Sequence, residues 1–572
     1  MSLDEQQHSG RDEYKRDDTN IRKNMYNILE PSTTTMDQGN FHDLVGGKEK
    51  KDLFDVLVKG KSTDKSFDIL VKGKSTVKSF DELKSIRENR VASKSDGLKI
   101  LLVIYDNGSY MTWFPQGLGY VAAVLRQEGH ELELYNQDIH HYPDEHLTYF
   151  LDTREKYDAV CISVIGGYWQ FKRLVGLSKA IENSKNRPRL YVIGGYGPTP
   201  EPEYFIQKTK ADVVVMGEGE DTTREVFAAL VNNSSYDNIP GIAWREGNKV
   251  TVNPARPLIP ASELENLDRI PTPAYDDFPM EYYRLLRMPN CNNTDFVQPV
   301  LSGRGCTFKC NFCYRMDTGF RPRTAEGILD EIEALQRNYG ITYVAFSDDL
   351  LMVSKPRTME LAEAFIKYQE RTGLKFKWDC NGRLNYCTPE ILKTMKRAGC
   401  VYLNFGIEAF DNQILKNMKK GLNVEQIVKG VEQTYDAGIS PGLNFIWGNL
   451  GENKKTLWKA VNFLKKYEKL QLRTIRPVTP YPGSPLYHIA ISKGLIDKAD
   501  PARDFYENKH TNSDLLAVNF TNLSDDDFHE ALREANEELI KDHFCKKQES
   551  YISQNQHVYG TKDTEFRGFR QT

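Results

Sequence analysis

Cys306, Cys310 and Cys313 lie in the run Ser302-Gly-Arg-Gly-Cys306-Thr-Phe-Lys-Cys310-Asn-Phe-Cys313-Tyr-Arg315, a C-x3-C-x2-C spacing. Three thiolates on one short loop can each hold one iron of a 4Fe-4S cube and leave the fourth iron open to a small molecule. Gly303 and Gly305 let the backbone curl around such a cluster without steric cost. A zinc site would want a fourth Cys or His close by, a redox pair would read C-x-x-C alone, and buried structural cysteines would keep no fixed spacing. The spacing favours the cluster over these three.

With Phe312 just before its third cysteine, the motif resembles the signature of the radical S-adenosylmethionine (radical SAM) superfamily. The resemblance implies that the open iron is chelated by the methionine end of S-adenosyl-L-methionine. It also implies an external electron donor such as flavodoxin or ferredoxin, and a 5'-deoxyadenosyl radical that abstracts hydrogen from an unactivated position.

The elements that would position this loop follow it in regular alternation. Strand-like runs 342–347, 376–381, 401–407 and 440–447 are separated by helical periodicity over 359–372, 389–398 and 424–437, with a further helix at 455–466. Such alternation predicts a parallel sheet with its working residues at the strand carboxyl ends, and the family's fold is a partial (β/α) barrel of this kind. At those ends the resemblance places S-adenosylmethionine contacts on Ser347, Asp348 and Asp349, on Asn381 and Arg383, and on Glu408 of Gly406-Ile-Glu408. Gly448-Asn-Leu-Gly-Glu452 is similar to the family's turn near the adenine, with Leu450 where proline is usual. Taken one at a time, these residues also read as a helix cap, a surface ion pair or a loop charge.

Upstream, five short β-type runs at 98–105, 131–135, 159–163, 190–193 and 211–216 alternate with helical stretches. They predict a doubly wound α/β domain of Rossmann or flavodoxin type whose ligand lies across the strand carboxyl ends. Ser163 closes the third run, and Gly194-Gly195 follows the fourth. This resembles cobalamin-binding domains, in which small residues make room for the cofactor's nucleotide tail. The histidine of the D-x-H-x-x-G loop is missing, because the loop after the first run reads Tyr105-Asp-Asn-Gly-Ser. His140, after the second run, imitates half that motif, and the expectation is cobalamin without a protein imidazole beneath the cobalt. No G-x-G-x-x-G or P-loop follows the first run, so dinucleotide and triphosphate readings lose their usual support, and a receiver domain is the main competitor.

The 572 residues suffice for roughly three to four domains, and the net charge of −4 without an aromatic-studded basic stretch does not suggest nucleic acid. No apolar run approaches the ~20 residues of a membrane span, and nine cysteines with only three in register fit a reducing cytoplasm. The expected organisation is a mostly disordered extension at 1–95, a cobalamin-binding domain at 96–235, a linker at 236–295, a radical SAM core at 296–490 and a helical segment at 491–572. Within the extension, a 13-residue unit beginning at Phe54 recurs from Phe67. The helix after Ser524, with Phe528, Leu532, Ala535 and Leu539 on one face, is expected to close the open side of the barrel.

The resemblance implies a cobalamin-dependent radical SAM enzyme acting on a small-molecule substrate. Its commonest activity is methylation of an unreactive centre through the 5'-deoxyadenosyl radical and methylcobalamin. Oxidative cyclisation or rearrangement is the alternative, and a cluster- or cobalamin-based sensor is a third reading. No side chain need act as acid or base in the central step, so no catalytic residue is named.

Overall fold

The computed structural model describes residues 97–109, 112–260, 267–314, 319–467, 471–509 and 516–560. The extension and its repeat lie outside the described residues.

The first sheet is built from β1 (Lys99–Ile104), β2 (Glu131–Asn136), β3 (Ala159–Ser163), β4 (Leu190–Gly194), β5 (Val213–Val215), β6 (Ile242–Glu246) and β7 (Lys249–Val252). Its order is β2-β1-β3-β4-β5-β6-β7, parallel through β5 and antiparallel after it. Apolar runs buried on both faces, Leu101 and Val103 on one and Ile100 and Leu102 on the other, explain why these strands read as continuous hydrophobic stretches. Helices α1 (Gln116–Gln127), α2 (Tyr168–Asn183), α3 (Pro202–Thr209) and α4 (Glu220–Asn232) connect them. The order 2-1-3-4-5 is flavodoxin-like, which places a ligand crevice at the carboxyl ends beside the β1/β3 switch point. The β6–β7 hairpin continues this sheet through 252, so 236–252, expected as linker, is structured and belongs to the first sheet. Its outer strand is half-exposed and charged, and so lacks the apolar run that marks the others.

The second sheet is entirely parallel and curled. Its strands are β8 (Val297–Val300), β9 (Tyr343–Phe346), β10 (Lys377–Gly382), β11 (Cys400–Glu408), β12 (Ser440–Trp447) and β13 (Arg476–Pro477), arranged consecutively. Helices α5 (Ala325–Tyr339), α6 (Lys355–Thr372), α7 (Pro389–Arg397), α8 (Val424–Asp436) and α9 (Lys454–Tyr467) cover its outer face. Their starts are fixed by side chains accepting from backbone amides: Thr324, Ser354 and Thr388, with a full capping box at Asn423 and Gln426. Between sheet and helices, Phe365 stacks on Phe346 with ring centres 5.6 Å apart, and both meet the edge of Trp378.

The chain after β13 first turns back to the earlier domain. Tyr487 donates to Glu201 at 3.0 Å, and Tyr506 packs against Tyr204, Phe171 and Phe205. The last helix, α10 (Asp525–Gly560), starts at the strand-end rim, where Phe528 stacks on Trp447 at 4.3 Å. From there it runs along α9, and Asn536 exchanges hydrogen bonds of 2.8 and 3.0 Å with the backbone of Ile475 beside the edge strand. The helix expected to close the open side of the barrel lies along the β13 edge, where Asn536 satisfies backbone groups an edge would expose.

Candidate functional site

The carboxyl ends of both sheets open onto one cavity of about 900 Å³. On the first sheet its wall contains Ser163, Gly194 and Gly195, and on the second it contains Gly303, Arg304, Gly305, Ser347 and Asp349. Gly195 has φ +98°, and a Cβ there would sit 2.4 Å from the Val164 carbonyl oxygen and 3.0 Å from Ser163 Oγ. Only glycine fits, and the space it leaves belongs to the cavity. Trp113, Ile165 and Tyr196 also line it while remaining 48, 56 and 37 % exposed. Large apolar side chains left open around a crevice mark a binding surface and suit the flat face of a broad macrocycle.

Among the described residues no histidine lines this cavity. His140 stacks on Tyr142 at 5.1 Å, and His141 is held by Asp106 at 3.1 Å. Asp106 also accepts from the Gly108 amide at 2.6 Å, while Asp138 accepts from the Asn107 amide at 2.7 Å, so the loop after β1 is held by its own Asp106 and by a carboxylate that follows β2.

The cysteine loop leaves β8 and is anchored at several points. Its backbone pairs Gly303–Arg304 antiparallel with Arg321–Pro322. The Ser302 amide lies 3.0 Å from both oxygens of Asp348, and its Oγ donates to that carboxylate at 2.9 Å. Burial pushes the Asp348 carboxyl up to about 6 against the pull of these Ser302 bonds. Between the second and third cysteines, Asn311 and Asn449 exchange amide bonds of 3.2 and 3.0 Å, tying the loop to the turn at 448–452. That turn folds around Glu452, which accepts from Gly448 N at 2.7 Å and Asn449 N at 2.9 Å; its carboxyl is pushed up to about 8 by burial.

Arg383 is packed under the same loop. Its guanidinium lies 3.3 Å from the centre of the Phe308 ring and donates to the carbonyls of Lys420 at 2.7 Å and Gly421 at 2.9 Å. Asp348 and Arg383, both expected at strand ends, are thus engaged in holding loops. Burial raises the Cys310 thiol above its ordinary range, and the ammonium of Lys420 works in the opposite direction. Among the described residues, no group of three or more Cys, His, Asp or Glu side chains is drawn together as a closed metal site. The three thiols fit an iron-sulfur cluster by their donor chemistry and their shared loop.

The remaining strand-end groups form a polar floor. Ser347 Oγ donates to Gln116 Oε1 of α1 at 2.6 Å, a contact from one domain to the other. Asn444 donates to Asn404, Asn404 to Asn381 and Asn381 to the Asp348 carbonyl, each at 2.8 Å, so three adjacent strands carry one amide chain. Glu408 sits at φ +71° after a register shift in β11 and pairs with Lys420 at 3.2 Å. A non-glycine residue in this conformation at a strand end is a mark of a functional position. Sequence reasoning missed Gln116, Phe308, Asn311, Lys420 and the two further asparagines. Phe308 and Asn311 occupy variable positions within the cysteine motif and the others stand in no motif; the only further signal was Asn404 and Asn444 as polar residues inside otherwise apolar strands.

A doubly wound sheet and a curled parallel sheet that share a cavity beside a three-cysteine loop define a two-cofactor radical enzyme architecture. The radical SAM superfamily profile matches residues 300–464, and that of the B12 binding domain matches residues 104–227. These two matches identify a radical SAM domain preceded by a B12-binding domain. The chain's cofactors are accordingly S-adenosylmethionine, a 4Fe-4S cluster and cobalamin. An uncharacterized methyltransferase of Pyrococcus horikoshii is 29 % identical over 411 residues, covering 70 % of this chain and 84 % of that protein. The anaerobic magnesium-protoporphyrin IX monomethyl ester cyclase of Rubrivivax gelatinosus is 25 % identical over 385 residues, 66 % of each chain. Among solved structures, the radical S-adenosylmethionine methyltransferase TsrM of Kitasatospora setae, with cobalamin and a [4Fe-4S] cluster bound, shares the fold at TM-score 0.58 and 17 % identity. That match covers 70 % of this chain and 79 % of the other.

Proposed function

We propose that this protein methylates an unactivated centre of a small-molecule substrate. One observation carries the reading: Gly194 and Gly195 of the B12-binding sheet line the same cavity as Gly303, Gly305 and Ser347 beside the cysteine loop. A methyl carrier and a radical source that face one space can act on one substrate atom, whereas separate pockets could not.

Cys306, Cys310 and Cys313 hold the cluster. Ser347, Asp349, Asn381 and Glu408 contact S-adenosylmethionine, whose ammonium and ribose hydroxyls suit carboxylate, hydroxyl and amide partners. Asp348 and Arg383 serve that site by fixing the loops around it, through Ser302 and through Phe308. Ser163, Gly194 and Gly195 leave room for cobalamin, and among the described residues no histidine lines the cavity that would receive it. When bound, these groups supply an electron, a hydrogen-abstracting radical and a transferable methyl group. The chain's own part is to hold them, orient the substrate and exclude water.

An external one-electron donor of the flavodoxin or ferredoxin type, a cytoplasmic location and no nucleic-acid partner complete the reading. Among the described residues no helix is long and apolar enough to cross a membrane.

Cyclisation is the second reading, favoured by the likeness to the Rubrivivax cyclase. The reduced, cobalamin-loaded enzyme, given a host metabolite extract and S-adenosylmethionine with a trideuterated methyl group, discriminates the two. Methylation yields 5'-deoxyadenosine, S-adenosylhomocysteine and a product carrying one labelled methyl. An unlabelled product lighter by hydrogens, without S-adenosylhomocysteine, would establish cyclisation.

A further inference from the structure

A buried polar network between the two domains lies beside the cysteine loop, and the site described so far makes no use of it. Arg304, two residues before Cys306, donates to Glu218 at 3.0 Å and to both oxygens of Glu220 at 2.5 and 3.2 Å. Arg321, the direct antiparallel partner of Arg304, donates to Glu218 at 2.8 Å. The two carboxylates belong to Gly217-Glu218-Gly219-Glu220, which joins β5 to α4 at the carboxyl end of the first sheet. Their side chains are 9 and 7 % exposed, and those of Arg304 and Arg321 are 15 and 7 % exposed. The Arg304 guanidinium also lies over the Tyr120 ring of α1, 5.2 Å from its centre.

Two guanidiniums and two carboxylates balance, so the network adds no net charge to the cavity. Burial alone would raise the Glu218 carboxyl, yet Arg321 and Arg304 hold it below its ordinary range. What the network fixes is geometry. An Arg fork bidentate to one carboxylate and bonded to a second restricts both distance and angle. Removing one member of such a buried set leaves another charge uncompensated, so the arrangement has few alternatives close in energy. Glu218, Glu220, Arg304, Gly303 and Gly305 all line the shared cavity. The clasp therefore joins the loop that would carry the cluster to the strand end that would carry the corrin.

We infer that Arg304 and Arg321, with Glu218 and Glu220, form an interdomain clasp that sets the separation of the cluster and the cobalt. Arg304 is its central positioning residue. This goes beyond the methylation reading, since a cyclase of the same build would need the same spacing. Transfer between two bound centres depends steeply on placement, and a loop freed from its anchor samples a range of positions.

The test uses the full chain reconstituted with iron, sulfide and cobalamin, then reduced so that the cluster and cob(II)alamin are both paramagnetic. Pulsed EPR reads their dipolar coupling as a distance distribution, while iron and cobalamin contents are measured on the same samples. The native protein should give one narrow distribution. Glu218→Gln and Glu220→Gln should each keep both cofactors and widen it by about twofold, as expected of a loop released from a buried anchor. Arg304→Lys, which keeps the charge and loses the fork, should fall between. An unchanged distribution in either glutamine variant with full cofactor content would overturn the inference. So would loss of a cofactor from all three variants, which would assign the network to binding and not to spacing.

Discussion

At the ends of β3 and β4 the chain carries Ser163, Gly194 and Gly195, ringed by Trp113, Ile165 and Tyr196. Along and beyond β9 to β12 it carries Asp348, Asn381 and Glu408 at strand ends and Asn404 and Asn444 within strands, nearly all hydrogen-bonded to one another or to the cysteine loop. The first arrangement binds by leaving side chains out, since a large, rigid ligand needs volume where it enters. The second binds by fixing polar groups in advance, which suits a small zwitterionic cofactor that must lie in one orientation. Substitutions should accordingly act through steric filling in one region and through loosening in the other.

The largest effect is expected at Gly195. Gly195→Val forces a β-branched residue to φ +98° and drives its Cβ into the Val164 carbonyl. The backbone strain alone is about 1–3 kcal/mol. Cobalamin bound per chain, read from absorption after desalting, should fall to near zero while iron content stays at the native level. Full cobalamin loading would break the contrast between the two regions.

Next comes Arg383. Arg383→Met removes two charge-assisted bonds to carbonyls and the stack on Phe308, a loss of about 2–3 kcal/mol. Iron release to a chelator should be faster than in the native protein and cobalamin binding unaffected. Equal release rates would show that the loop does not depend on this support.

A smaller, pH-dependent effect is expected inside the barrel. Asp379 is 5 % exposed, Oδ2 of its carboxylate has no hydrogen-bond partner, and burial pushes its pKa up to about 7 despite the Tyr343 hydroxyl. A raised folded-state pKa means that stability present at pH below the ordinary carboxylate range is lost as pH rises through about 7. Asp379→Asn should therefore raise the melting temperature progressively more between roughly pH 4 and pH 8. A pH-independent difference in melting temperature would refute this assignment.

The smallest effect is at His140. His140→Ala removes a ring stacked on Tyr142 and outside the cavity, and the cobalt absorption spectrum should not change. A shifted spectrum would give the first sheet a directed ligand and blur its contrast with the second.

How much of this was legible in the sequence follows the same division. The runs 159–163 and 440–447 coincide with β3 and β12, because buried parallel strands leave mainly apolar stretches between helix periods, interrupted in β12 by Asn444. Gly194 and Gly195 could be read because glycine at a strand end has few other uses. The β6–β7 hairpin escaped notice because its outer strand is half-exposed and charged. The carboxylate of Asp348 could be assigned to a strand end but not to Ser302, since that partner is 46 residues away and the bond exists only once β8 and β9 are adjacent. Lys420, Gln116 and the Arg304 network were invisible for the same reason: each acquires its role through a contact between elements that no local pattern encodes.

The claim on which all else rests is that the three cysteines and the glycine-lined sheet serve two different cofactors facing one cavity. Iron, sulfide and cobalamin are to be counted in anaerobically reconstituted native protein and in a variant with Cys306, Cys310 and Cys313 all replaced by alanine. The native chain should hold about four irons and four sulfides, as a cubane requires, together with one cobalamin, and the triple variant should lose the iron and sulfide while keeping the cobalamin. Iron retained by the triple variant, or no cobalamin in either protein, would contradict the account.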